Sequence, residues 1–142
     1  MRPYLVGLTG GIACGKSGIR QELERLGAAV CDANQLSREA VVPGSFGLGC
    51  LVNEFGEGIL QPDGTLDRRR LGAIAFADPE KLRVVERCLH PIIESLLWGR
   101  LKAAEAEGRD VFIYENSIIV EKDDVKRYDA LVVAYVNPTE QL

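Results

Sequence analysis

The pattern Gly10-x-x-x-x-Gly15-Lys16-Ser17 sits inside "GLTGGIACGKSG" and concentrates glycines, one ammonium and one hydroxyl in a single short stretch. That set of groups suits a polyphosphate. Glycines leave backbone N–H groups unobstructed, so that the run Gly10, Gly11, Ile12, Ala13, Cys14, Gly15 and on to Gly18 can close around phosphate oxygens. Lys16 has the reach for the β- and γ-phosphates, and the Ser17 hydroxyl is a hard oxygen donor suited to Mg²⁺. Cys14, at the start of a helix, reads either as a reactive thiolate or as a loop filler. The motif has meaning only between a strand and a helix, and here it follows the apolar run "YLVGL" and precedes the helix-like "IRQELERLG". Such a loop is shared by kinases, NTPases and switches, so by itself it does not choose a reaction.

The elements needed to hold the loop can be read along the chain. "YLVGLTG" and "AAVCDA" have the composition of buried strands, and "SGIRQELERLG" between them reads as a helix closed by Gly27. After "VVPGSFG" the pattern turns helical through "GLGCLVNEFG" and "LDRRRLGAIAFA". A long amphipathic run follows, with Asp78 as N-cap and Pro79 at the first helical position. "RDVFIYEN" and "DALVVAYVN" then return to strand composition. This alternation predicts an α/β fold: a three-layer parallel sheet of the P-loop NTPase type, with a helical insertion between its second and third strands. One domain is expected over residues 1–142, with 1–36 and 109–142 forming the phosphate-binding core and about 37–108 the insertion.

Beyond the loop, several residues carry alternative readings. Asp32 ends the second strand beside the loop, where a carboxylate can meet a Mg²⁺-bound water or an acceptor sugar, or can be an ordinary solvated acid. Asn34 either hydrogen-bonds an acceptor or turns the chain and N-caps "QLSREAVV". His90, the sole histidine, precedes Pro91 and is expected at a break in the long helix. The run Asp67 to Arg70 is either a solvated helix face or an anion contact. Leu97 and Trp98 fall on an apolar helical stripe and read as core.

Composition sets limits on all of this. A net charge of -4 gives no basic footprint for nucleic acid or an anionic membrane surface. No apolar run is long enough for a membrane span, and "MRPYLVGL" is too short for a secretory signal, so a cytoplasmic protein is expected. Cys14, Cys31, Cys50 and Cys88 stand far apart without a C-x-x-C pair, which suggests reduced thiols rather than a disulfide framework or a zinc site.

Taken together, "GLTGGIACGKS", "LGAAVCDANQLSREAVVPG", "FGEGILQPDGTLDRRRLGAIAFADPEKLRVVERCLHPII" and "YVNPTEQL" make the chain resemble the dephospho-CoA kinases. The resemblance implies ATP and Mg²⁺ at the loop, with Lys16, Asp32 and Asn34 at the chemistry and Ser17 on the metal. It also implies dephospho-CoA as the small-molecule substrate, held through Asp32, Arg38, Arg69 and His90 in and near the helical insertion. Four positions depart from the family's pattern. Asn34 replaces the second carboxylate of Asp-Ala-Asp, and Gly18 replaces a Thr or Ser. Glu115 to Glu121 keeps the acids of Asp-x-Pro-Leu-Leu-x-Glu without its proline. The sequence also stops at "NPTEQL", where the family continues into a helix, an arginine-bearing lid and a last strand. The C-terminal part of the fold is therefore expected to be missing, with self-association through an uncovered sheet edge. A non-catalytic or truncated nucleotide- or CoA-binding module, or another small-metabolite P-loop kinase, stands as the alternative.

Overall fold

The structure is a computed structural model that describes residues 2–10, 16–116 and 127–133. In chain order its elements are β1 (Tyr4–Thr9), α1 (Lys16–Arg25), β2 (Ala29–Asp32), α2 (Ala33–Glu39), α3 (Phe46–Phe55), a 3-10 turn (Glu57–Ile59), α4 (Arg68–Ala77), α5 (Pro79–Ala106), β3 (Val111–Glu115) and β4 (Ala130–Val133). They form two compact units, residues 1–34 with 98–142 and residues 35–97, so the boundary falls inside α2 and again inside α5.

The first unit is built on a parallel sheet of order β2-β3-β1-β4. Consecutive residues Phe112, Ile113 and Tyr114 are all buried, which a pleated strand allows only where both sheet faces are covered. Leu5, Leu8 and Cys31 complete this core on the neighbouring strands. At the outer strand of the described sheet, Leu131, Val132 and Val133 remain 37%, 40% and 58% exposed. Asp129 fastens that strand at its start: its Oδ2 accepts from the Leu5 N–H at 2.7 Å, and its own N–H donates to the Leu5 carbonyl at 2.8 Å.

Helices α1 and α5 end alike. Gly27 and Gly108 adopt φ of 103° and 77°, in the left-handed region that glycine enters without steric cost. Ala28 N–H reaches back to the Leu23 carbonyl at 3.1 Å and Arg109 N–H to that of Ala104 at 3.0 Å, the 6→1 bond of a Schellman turn. Each turn feeds directly into a strand, β2 or β3. Arg109 Nη1 donates to the Gly27 carbonyl at 2.9 Å and so ties the two turns together at the N-terminal ends of those strands.

The second unit packs α3, α4 and the first part of α5 around Val41, Leu48, Leu51, Ile59, Leu71 and Cys88. Ser45 caps α3, its Oγ accepting from Leu48 N–H at 3.1 Å and donating to the Ala40 carbonyl at 3.0 Å. Gly47 lies against that same carbonyl, so closely that a Cβ would stand 2.0 Å from the oxygen.

Three sequence expectations are corrected in this region. Cys50 and Cys88 are joined in a disulfide, not reduced; α3 and α5 bring Cα atoms separated by 38 residues to 5.7 Å, within bridging range. Helix α5 runs without interruption through His90 and Pro91, although the residue before a proline disfavours helical geometry. The buried positions Cys88, Leu97, Leu101 and Ala104 supply packing along its length that outweighs the one hydrogen bond proline removes. Leu97 is core as expected, but Trp98, the next residue around the helix, is 44% exposed.

Candidate phosphate and acceptor site

Parallel strands put their C-terminal ends on one side of the sheet, where α/β folds bind ligands. In register, Glu115 on β3 is flanked by Leu8 on β1 and Asp32 on β2. Chain order then sets the rest of the site. Two residues past Leu8 comes Gly10, with φ of 153°, and α1 begins at Lys16 and Ser17. The intervening Gly11 to Gly15 lie outside the described residues. The start of α1 offers backbone N–H groups with no intrahelical partner and the positive end of the helix dipole, the arrangement that attracts phosphate. Gly18 is in the first turn of that helix, exposed, with open space where a Cβ would project.

Asp32 has partners on both carboxylate oxygens. Oδ1 accepts the Asn34 N–H at 2.9 Å, the bond by which a residue preceding a helix caps its first turn, and Oδ2 lies 3.7 Å from Arg20 Nη1. The capping role therefore belongs to Asp32, and Asn34 sits exposed at the second position of α2. The reason is chain geometry: β2 passes into α2 with no intervening loop, so the last strand residue is the one placed to cap.

The sequence reading missed Arg20. Its Nη1 lies 3.2 Å from Glu115 Oε2 as well as 3.7 Å from Asp32 Oδ2, and its Nε is 3.7 Å from Glu24 Oε1. One signal was available, since Arg20 stands four residues after Lys16 and hence on the same helix face one turn later.

The remaining expected residues belong to the second unit. Arg38 is exposed in the last turn of α2, and Arg69 is exposed in α4. Their neighbours in "DRRR" have structural duties: Asp67 Oδ1 accepts the Arg70 N–H at 3.0 Å as the cap of α4, and Arg70 Nη1 donates to the Gly58 carbonyl at 2.7 Å. His90 is exposed on α5, its Nε2 3.9 Å from Glu94 Oε1. Glu121 and Cys14 lie outside the described residues. Among the described residues no group of three or more His, Cys, Asp or Glu side chains is arranged to hold a metal ion.

Comparison with known proteins adds a family. The sequence profile of dephospho-CoA kinases matches residues 4–142. The dephospho-CoA kinase of Geobacter sulfurreducens is 45% identical over 138 residues, covering 97% of this chain and 70% of the relative. A solved structure of a Thermus thermophilus protein superposes with a TM-score of 0.83 at 28% identity, over 99% of this chain and 70% of that one. The dephospho-CoA kinase structure from Campylobacter jejuni, at 22% identity and a TM-score of 0.71, shares the fold over 91% of this chain and 64% of its own.

Proposed function

Because the chain belongs to the dephospho-CoA kinase family, we propose that it transfers the γ-phosphoryl group of ATP to the 3′-hydroxyl of dephospho-CoA, a step of coenzyme A biosynthesis. The observation that carries this reading is the family match from residue 4 to residue 142, which takes in both units and not the phosphate loop alone.

In this reading the backbone of Gly10 to Gly18 cradles the phosphates, and the Lys16 ammonium offsets charge that develops on the transferring group. Asp32 accepts a hydrogen bond from the acceptor hydroxyl, with Asn34 beside it at the mouth of α2. The new bond joins O3′ to the γ-phosphorus. The bond from that phosphorus to the β–γ bridging oxygen breaks, ADP leaves with the electron pair, and the hydroxyl proton passes to Asp32 or solvent. Arg38, Arg69 and His90 are assigned to the acceptor's phosphate and pantetheine portions.

Ser17, at the start of α1, would supply the hydroxyl for a Mg²⁺ ion, which keeps most of its waters and needs only one or two protein ligands. When bound, the ion neutralises phosphate charge and aligns the β- and γ-groups.

Asn34 favours one competing reading, a module that binds nucleotide or CoA without turnover, because an amide cannot take a proton as a carboxylate does. Calorimetry with Mg·ATP and, separately, with dephospho-CoA, followed by an assay of CoA formation, tests the two together. Binding of both ligands with turnover supports the kinase. Binding without turnover supports the module, and failure to bind either removes both.

The reading places the protein in the cytoplasm. No helix among the described residues is long and apolar enough to cross a membrane. The exposed Leu131, Val132 and Val133 on β4 support self-association through that sheet edge. Light scattering across a dilution series checks it, and a monomer at every concentration would reject it.

A further inference from the structure

We propose that Arg20 is a positioning residue for Asp32, an inference that rests on the kinase reading above. A single guanidinium nitrogen, Nη1, serves both Glu115 at 3.2 Å and Asp32 at 3.7 Å. These acids are direct register partners at the ends of adjacent strands, where neighbouring backbones stand about 4.8 Å apart and two carboxylates repel. Glu115 is the more buried, with 13% of its side chain exposed, and fixes the arginine from the sheet side. Arg20 in turn stands in ion-pair range of Oδ2 of Asp32, while the Asn34 N–H donates a hydrogen bond to Oδ1. The Asp32 carboxylate is thereby hydrogen-bonded at one oxygen and drawn electrostatically toward Arg20 at the other.

Helix α1 makes this economical. It starts at the phosphate loop, and one turn later the same helix presents the cation that orients the acceptor-side acid. The phosphate loop and the Asp32 carboxylate are thus both referenced to one helix inside the first unit. Asn34, which brings no carboxylate of its own to this strand end, leaves the orientation of Asp32 correspondingly more important.

The test must separate orientation from the removal of a partner for a half-buried acid, since Arg20→Met alone leaves Glu115 uncompensated and lowers stability. Three variants are compared with the parent: Arg20→Met, Arg20→Lys, and the double change Arg20→Met with Glu115→Gln, which removes both charges. Steady-state kcat and KM for ATP and dephospho-CoA are measured, with calorimetric affinities and thermal melts on the same samples. In the double variant the melt returns toward the parent, ATP affinity holds, and kcat with acceptor affinity stays lowered about 10- to 100-fold, the scale of a misplaced reacting group. Arg20→Lys recovers only part, because a strongly hydrated ammonium on a flexible stem is less pre-organised between the two acids than a guanidinium. A double variant with the parent's kcat and acceptor affinity overturns the proposal, since Arg20 then serves only to balance Glu115. A parent that binds no dephospho-CoA fails the kinase reading itself and removes the proposal with it, an outcome visible before any variant is made.

Discussion

Lys16→Ala is expected to weaken Mg·ATP binding at least about tenfold, the scale of a charge-assisted contact to phosphate, as read by calorimetry. At Gly18 a side chain meets open space, so Gly18→Ala should stabilise the chain by about 1 kcal/mol through helix propensity, seen as a higher denaturant midpoint at unchanged slope. Asn34 is exposed and lends only its backbone N–H to Asp32, which any residue would supply. Asn34→Asp therefore keeps the cap. General-base loss is worth about 10² to 10⁴ where a strong base matters, but phosphoryl transfer leans on positioning and charge. CoA formation by Asn34→Asp should rise no more than about tenfold; a larger gain would make position 34 the decisive group. The start of α1 at Lys16 and the place of Asp32 at the end of β2 were legible because their signals are local in sequence. Arg20 was not, because its partners lie on α1, β2 and β3, and only the sheet register brings Asp32 beside Glu115.

Among the elements, strands and helices follow the sequence pattern closely, and the exceptions arise where packing overrides local bias. Pro91 is exposed within continuous α5 and leaves one carbonyl without its helical donor. Pro91→Ala should raise stability by about 1 to 3 kcal/mol, measured by urea unfolding. Gly47→Ala acts in the opposite sense, because its Cβ would overlap the backbone oxygen of Ala40 and force α3 away from the end of α2. A loss of about 1 to 3 kcal/mol is expected, and an unchanged melt would show that the contact yields easily. In the turn between Leu60 and Leu66, the Thr65 hydroxyl at 2.6 Å and its N–H at 3.0 Å donate to Asp63 Oδ1 and hold that carboxyl below its ordinary range. A lowered folded-state value means a stabilising contribution present above the ordinary carboxylate pKa and lost as pH falls through the lowered one. Thr65→Val should move the Asp63 titration upward in carbon-detected NMR.

At the scale of the molecule, the parallel sheet and the helical insertion followed from alternating patterns, whereas the strand order β2-β3-β1-β4 and the Cys50–Cys88 bond did not. Spacing alone cannot reveal that α3 and α5 bring residues 38 apart to bridging distance. A loop of that size adds about 4 kcal/mol in the chain-entropy account. A reducing compartment would open the bond. Melts with and without dithiothreitol should therefore differ, and the paired change Cys50→Ser with Cys88→Ser should match the reduced parent and ignore the reagent. Identical melts in both conditions would show that the second unit is held by its apolar core alone.

The bond also changes what a cut in the backbone means. Gln61, Pro62 and Asp63 are exposed at a turn that lies between the two bridged positions. A protease that severs the chain there leaves both pieces covalently attached, so the nicked protein should run as one band on a non-reducing gel and as two once the thiols are freed. Loss of a peptide bond at this turn is thus survivable in a way that a cut on either side of the bridged segment is not.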